Sequence, residues 1–137
     1  MMTMTKLEIA EHQLRRAVLL FLDGDYVCAI TLAGAAEEIL GRLLEESGEQ
    51  HALGNYVSLC LQGSRGILPD KDLKAIYVGN ANEFRNGLKH WRDGTAMTIP
   101  LEAAVAMLDR AIENYRKLDG KNIPEIDQYQ LATQDMY

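Results

Sequence analysis

Apolar residues recur every three or four positions along most of this chain, and this spacing is the strongest constraint on its fold. In the first such segment Leu14 and Val18 follow the helical period, and Thr5 with Glu8 forms the T-x-x-E capping box that begins many helices. No segment shows the two-residue alternation of a half-buried strand. The pattern predicts an all-α protein whose first helix spans about residues 6–22.

A second helix is predicted after the break "LDGDY", with Asp25 placed at its N-cap and an apolar face that runs up to "ESG". This helix is rich in small residues, "CAITLAGAAEEIL". Ala29, Ala33 and Ala36 share one side, so another helix can approach that side closely. The pattern favours packing inside the chain over packing against a second subunit.

The rest of the chain predicts one short and two long helices. The short one covers Tyr56 to Leu61 within a glycine-rich connection. One long helix runs from Pro69 to "DGT", and the other runs from Pro100 to Gly120. We therefore expect an antiparallel bundle of four long helices and one short helix as a single domain over residues 1–120. Residues 121–137 are polar and contain Pro124, so we expect an extended or partly ordered tail.

Charge and composition narrow the function. The 14 basic and 20 acidic residues give a net charge of -6, which argues against a protein that coats duplex DNA or an anionic membrane through its overall field. The chain shows no secretory signal pattern and no membrane-length apolar run, so we expect a cytoplasmic protein. Cys28 and Cys60 are far apart and lack metal-ligand spacing, so we expect two core thiols and neither a metal site nor a cofactor.

One stretch, "NEFRNGLKHW" at residues 82–91, concentrates polar groups. On a helix, Asn82, Asn86 and His90 share one face, and Arg85 and Lys89 form an adjacent row. Arginine matches phosphate oxygens, lysine adds charge, asparagine donates to oxygens, and histidine exchanges a proton near neutral pH. Such a set suits a phosphodiester. Cleavage without a metal would need a base that draws the proton from a ribose 2′-hydroxyl while cations stabilise the phosphate.

The segment "RNGLKH" resembles the R-N-x-x-x-H element of HEPN domains, and "GDYVCAITLAGAAEEIL" is similar to the alanine-rich second helix that precedes this element in that family. The resemblance covers roughly residues 6–118. It implies a small all-α bundle, usually dimeric, with a metal-independent ribonuclease site. It assigns catalytic roles to Arg85, Asn86 and His90, whereas Asn82 and Lys89 are predicted as ligand-binding residues from their position in the row.

Other functions stay open at this point. Inactive HEPN-like domains act as binding or scaffold modules, and "LFLDGDYVCAITLAGAAEEIL" also resembles one tetratricopeptide hairpin. The alternative to a homodimer that binds RNA or a nucleotide is therefore a helical module that contacts a separately encoded protein. Glu37 and Glu38 are predicted to lie on a solvated edge; in the alternative, one of them faces Arg85 or Asn86.

Overall fold

The computed structural model describes residues 1–64, 70–90, 94, 96–118 and 121–136. Within this part the chain forms seven α-helices and a terminal 3-10 turn, without any strand. The helices are α1 (Lys6–Leu22), α2 (Tyr26–Glu46), α3 (Ala52–Ser64), α4 (Asp70–Ala81), α5 (Glu83–His90), α6 (Leu101–Leu118) and α7 (Pro124–Thr133). The predicted all-α class is confirmed. None of the helices in the described ranges is long and apolar enough to cross a membrane.

The first two helices form the hairpin that the sequence predicts. Thr5 accepts a hydrogen bond from the backbone of Glu8, whose side chain in turn accepts from the backbone of Thr5, so the capping box is complete. The chain reverses at Gly24, whose φ of 85° favours glycine. Asp25 then caps α2 by accepting from the backbone of Cys28 at 3.1 Å.

The apolar core is formed mainly by α1, α2, α6 and α7, with α2 in broad contact with both α1 and α6. Ala29, Ala33 and Ala36 of α2 are fully buried in this core, so the small-residue side packs inside the chain, as the sequence favours. Large side chains close the space around them, and burying one such as Leu40 or Leu108 stabilises the fold by about 1.5–3 kcal/mol. The small residues let α2 lie close to its neighbours.

The predicted fourth helix is divided at Asn82 into α4 and α5. The backbone almost continues through this point, because Asn82 donates to the Val78 carbonyl at 3.1 Å and its own carbonyl accepts from Asn86 at 2.9 Å. Pro69 and Asp93, at the predicted start and stop, lie outside the described residues. The predicted short helix is longer than expected and becomes α3.

The expectation of an extended or partly ordered tail is wrong, because residues 124–133 form α7. Pro124 starts this helix, where its missing N–H costs nothing. Ile126 and Tyr129 are buried in the core cluster, and the Tyr129 hydroxyl donates to the Asp109 carboxylate of α6 at 2.8 Å. The Tyr129 ring meets Phe21 of α1 edge-on, with 5.2 Å between ring centroids. Although this segment is mostly polar, one side of α7 is apolar and packs against the core.

We expect Tyr129→Ala to lower the free energy of unfolding by about 3–5 kcal/mol, because it empties a fully buried site and removes the contact with Asp109. Leu131→Ala is the matched control on the same helix, since Leu131 is 68% exposed. Urea unfolding of both variants would measure the difference. Equal, small effects would mean that α7 does not pack on the body of the protein.

Candidate functional site

The predicted site residues separate into two groups in the structure. Asn86, Lys89 and His90 are exposed on α5, whereas Asn82 is buried in the turn before it and the Arg85 side chain is largely buried. The predicted exposed row of Asn82, Asn86 and His90 therefore does not include Asn82. Three polar side chains point to solvent, and two belong to the interior.

The short helix α5 is held by both its ends and its apolar side. Glu83 lies in its first turn and Lys89 with His90 in its last, so these charges complement the helix dipole. Leu88 packs against the core cluster, and Phe84 is half-buried. This anchoring orients the opposite side of α5 outward.

Glu37 of α2 lies at the centre of the interior group. It is only 4% exposed, and its carboxylate contacts two arginines: Oε1 lies 3.0 Å from Nη2 of Arg110, and Oε2 lies 3.4 Å from Nη1 of Arg85. The neighbouring Glu38 is exposed and pairs with Arg42 at 3.0 Å. A buried carboxylate needs this kind of pairing, because desolvation of an unpaired charge is very costly.

The solvated-edge prediction is thus confirmed for Glu38 and wrong for Glu37. Adjacent residues point about 100° apart on a helix, so the two acids face different surroundings. Glu37 lies four positions after Ala33 and three before Leu40, on the side of α2 that is buried. That spacing was the signal available in the sequence: an acid on an apolar stripe calls for a buried cation.

Arg110 of α6 is a member of the interior group that the motif does not include. Besides Glu37, its guanidinium donates to the Ala81 carbonyl at 2.9 Å and to Oδ1 of Asn82 at 3.0 Å. It thereby occupies a carbonyl at the C-terminal end of α4 and explains the burial of Asn82. Nothing in the spacing of α6 distinguishes Arg110 from a surface arginine.

Close packing against α2 also fixes Arg85. A Cβ atom placed on Gly34 would lie 2.5 Å from Cδ and 3.0 Å from Cγ of Arg85. The aliphatic part of the arginine therefore crosses the surface of α2 at Gly34, where no side chain intervenes. From there its guanidinium reaches Glu37.

A second polar link attaches the start of α3. Asn114 of α6 is fully buried; its Oδ1 accepts from the backbone of Ala52 at 2.7 Å, and its Nδ2 donates to the Glu37 carbonyl at 3.3 Å. His51 accepts from the backbone of Gly54 at Nδ1, so its Nε2 carries the proton that it shares with Glu45 at 2.7 Å. Both side chains satisfy backbone donors that every helix start leaves without partners. His51 therefore has a structural role.

Two cavities include Arg85, and neither includes Asn86, Lys89 or His90. The larger, which we call the α5–α6 cleft, has a volume of about 470 Å³. The smaller, about 200 Å³, lies beside Glu37 and His51. Two surface cavities of about 650 Å³ contain none of the predicted site residues. Within one copy of the chain, Arg85 and His90 do not line one of these cavities together.

The other reactive groups do not suggest a second centre. Cys28 is exposed rather than in the core as predicted, and Cys60 is partly buried; both are free thiols. The hydrogen bond with Asp25 and the negative charge of its carboxylate raise the pKa of Cys28, which reduces its thiolate fraction at neutral pH. In the described residues, no group of three or more His, Cys, Asp or Glu is placed to hold a metal ion.

Comparisons with known proteins identify no relative: no family model matches the chain, and neither the curated proteins nor the solved structures give a significant match.

Removing the charge of Glu37 should destabilise the protein strongly. We expect Glu37→Gln to lower the free energy of unfolding by about 3–5 kcal/mol, because it leaves two largely buried arginines around a neutral amide. Glu38→Gln is the matched control and should change it by less than about 0.5 kcal/mol, because Glu38 forms only an exposed pair. Thermal and urea unfolding would compare them, and similar losses would contradict the central role of Glu37.

The close approach of Arg85 to α2 gives a second test. Gly34→Ala should destabilise the protein by about 1–3 kcal/mol, because the new methyl group displaces the arginine from Glu37. Gly79→Ala, in α4, meets no atom of the described residues within 4 Å and should stabilise by about 0.5–1 kcal/mol through helix propensity. A stabilising effect in both variants would show that Arg85 is not held there.

Proposed function

We propose that this chain is a HEPN-like helical domain that binds a phosphate of RNA or a nucleotide on the outer face of α5. The observation that carries the proposal is the state of Asn86, Lys89 and His90. All three are exposed on one short helix, and no hydrogen bond or ion pair ties their side chains to the described part of the chain. An anion can reach them without breaking an internal contact.

The residue types of this face define the chemistry. Lys89 supplies charge, Asn86 donates an amide hydrogen bond, and neutral His90 can take the proton of a ribose 2′-hydroxyl. The 2′-oxygen then attacks phosphorus, and the bond to the 5′-oxygen breaks as that oxygen takes a proton from solvent. The products are a 2′,3′-cyclic phosphate and a free 5′-hydroxyl. This is the metal-independent reaction that the RNGLKH resemblance implies for Arg85, Asn86 and His90.

Arg85 limits what one copy can do, because its guanidinium is paired with Glu37 and lines cavities that do not include His90. We propose a homodimer in which a twofold contact sets two α5 faces beside each other. This arrangement would concentrate positive charge on an otherwise acidic protein. We also propose that the helices form an antiparallel bundle. Its four long helices are α1, α2, the α4–α5 pair and α6, and its short helix is α3. We propose that the protein is cytoplasmic.

A protein-interaction module is the second candidate, favoured by apolar side chains on α3 and α4. Tyr56, Leu59 and Ile76 are 42%, 69% and 47% exposed, and helices that present such side chains are suited to contact a partner chain. In this alternative α5 has no role in phosphate binding. The partner would be a separately encoded protein, and the chain would then be an inactive HEPN-like scaffold.

Binding and cleavage of single-stranded RNA in EDTA test the leading proposal. Lys89→Ala should weaken binding about tenfold through the loss of one phosphate contact, and His90→Ala should lower the cleavage rate about 100-fold or more. Lys6→Ala removes the same charge from the exposed start of α1 and is the matched control.

The outcomes separate the two functions. Binding that Lys89→Ala weakens, without any cleavage, would leave a binding domain and remove the enzyme. Equal effects of Lys89→Ala and Lys6→Ala would show only non-specific attraction and would contradict the α5 face. Sedimentation of the wild type as a monomer at micromolar concentration would contradict the dimer.

A further inference from the structure

The α5–α6 cleft has the composition of a pocket for a flat, mostly apolar group. Its walls come from α2, α3, the end of α4, α5 and α6 with the preceding Pro100, and its apolar members include Ile30, Tyr56, Phe84 and Met107. Pockets that bind small ligands commonly have volumes of about 300–1,000 Å³ and mainly apolar walls. The cleft, at about 470 Å³, lies within that range.

Two aromatic rings and one amide give the cleft features that nucleobases use. Tyr56 is 42% exposed and Phe84 is half-buried, so both present ring surface to the cleft. Asn80 is exposed at its rim and offers both a donor and an acceptor. Proteins that bind single-stranded RNA stack its bases on such rings and read their edges with such amides.

The charges around the cleft suit a neutral occupant. Arg85 and Arg110 line it, but both are already paired with the buried carboxylate of Glu37. Glu102 lies at the exposed side and adds a negative charge. Among the described residues at the cleft, two cations and two carboxylates therefore cancel, and a neutral base fits this balance better than a second phosphate.

The cleft also lies next to the proposed phosphate face. Phe84 and Arg85, in the first turn of α5, line the cleft, and Lys89 lies in the last turn of the same helix. At about 1.5 Å per residue, Lys89 is about 6 Å farther along the axis than Arg85. One nucleotide can span such a distance between its base and its phosphate.

We propose that the α5–α6 cleft takes the nucleobase of a single-stranded RNA nucleotide whose phosphate lies on the outer face of α5. The inference rests on the phosphate-binding function proposed above and adds a pocket for the base of the same nucleotide. A base held in a duplex is stacked and paired, so only an unpaired nucleotide can place its base in the cleft. Duplex RNA is then a poor ligand.

Calorimetric binding of uridine 5′-monophosphate, adenosine 5′-monophosphate and ribose 5-phosphate tests this inference, because the third probe has the phosphate and sugar but no base. We expect at least one nucleotide to bind about tenfold more tightly than ribose 5-phosphate. Tyr56→Ala should remove most of that preference, while Tyr56→Phe keeps the ring and retains it. Leu59→Ala is the matched control, since Leu59 is exposed on α3 but does not line the cleft.

Each outcome decides a different point. Equal affinity for nucleotides and ribose 5-phosphate would overturn the base pocket and leave the phosphate site standing. Loss of the preference in Leu59→Ala as well as Tyr56→Ala would assign the effect to α3 as a whole and would also overturn the pocket. No binding of any probe, together with no RNA binding, would reject both proposals. We expect Tyr56→Ala to bind ribose 5-phosphate with unchanged affinity, which would show that the outer face of α5 is still folded in this variant.

Discussion

The carboxylate of Glu37 is the contact that positions α5 and the end of α4 against the helices of the core. It lies on the buried side of α2 and pairs with Arg85 of α5 and Arg110 of α6. Because a buried charge must keep its partners, the pairing fixes α5 relative to α2. Arg110 extends the network to Ala81 and Asn82, where α4 gives way to α5. Glu37 thus links α2, α5 and α6 directly and reaches α4 through Arg110.

This polar network supplements the apolar packing where α5 and the end of α4 meet α2 and α6. The core cluster of buried side chains draws on α1, α2, α6 and the region of α7, and α5 adds only the partly buried Leu88 at its edge. The described contacts of α3 with the body include the Asn114 link to Ala52, and Lys117 also reaches the Gln50 carbonyl at 3.0 Å.

The same division explains why one short helix can carry both a structural and a surface role. Arg85 uses the inner side of α5 to reach Glu37, and Leu88 packs at the edge of the core, which leaves Asn86, Lys89 and His90 outside. An arginine within the motif therefore helps to position the helix, while the outer residues are available to a ligand. Phe84 and Arg85 of α5 also line the α5–α6 cleft.

The sequence by itself determined the elements whose signals are local. The capping box at Thr5, the Asp25 cap and the apolar spacing of α1, α2 and α6 predicted those helices, because each signal acts within one or two turns. It also identified the polar stretch of α5. Only the tertiary structure decided which of those polar groups turn inward, since the partners Glu37 and Arg110 come from distant parts of the chain. It likewise decided that the polar tail forms α7, because the apolar side of that helix is stable only against α1 and α6, which no local pattern could reveal.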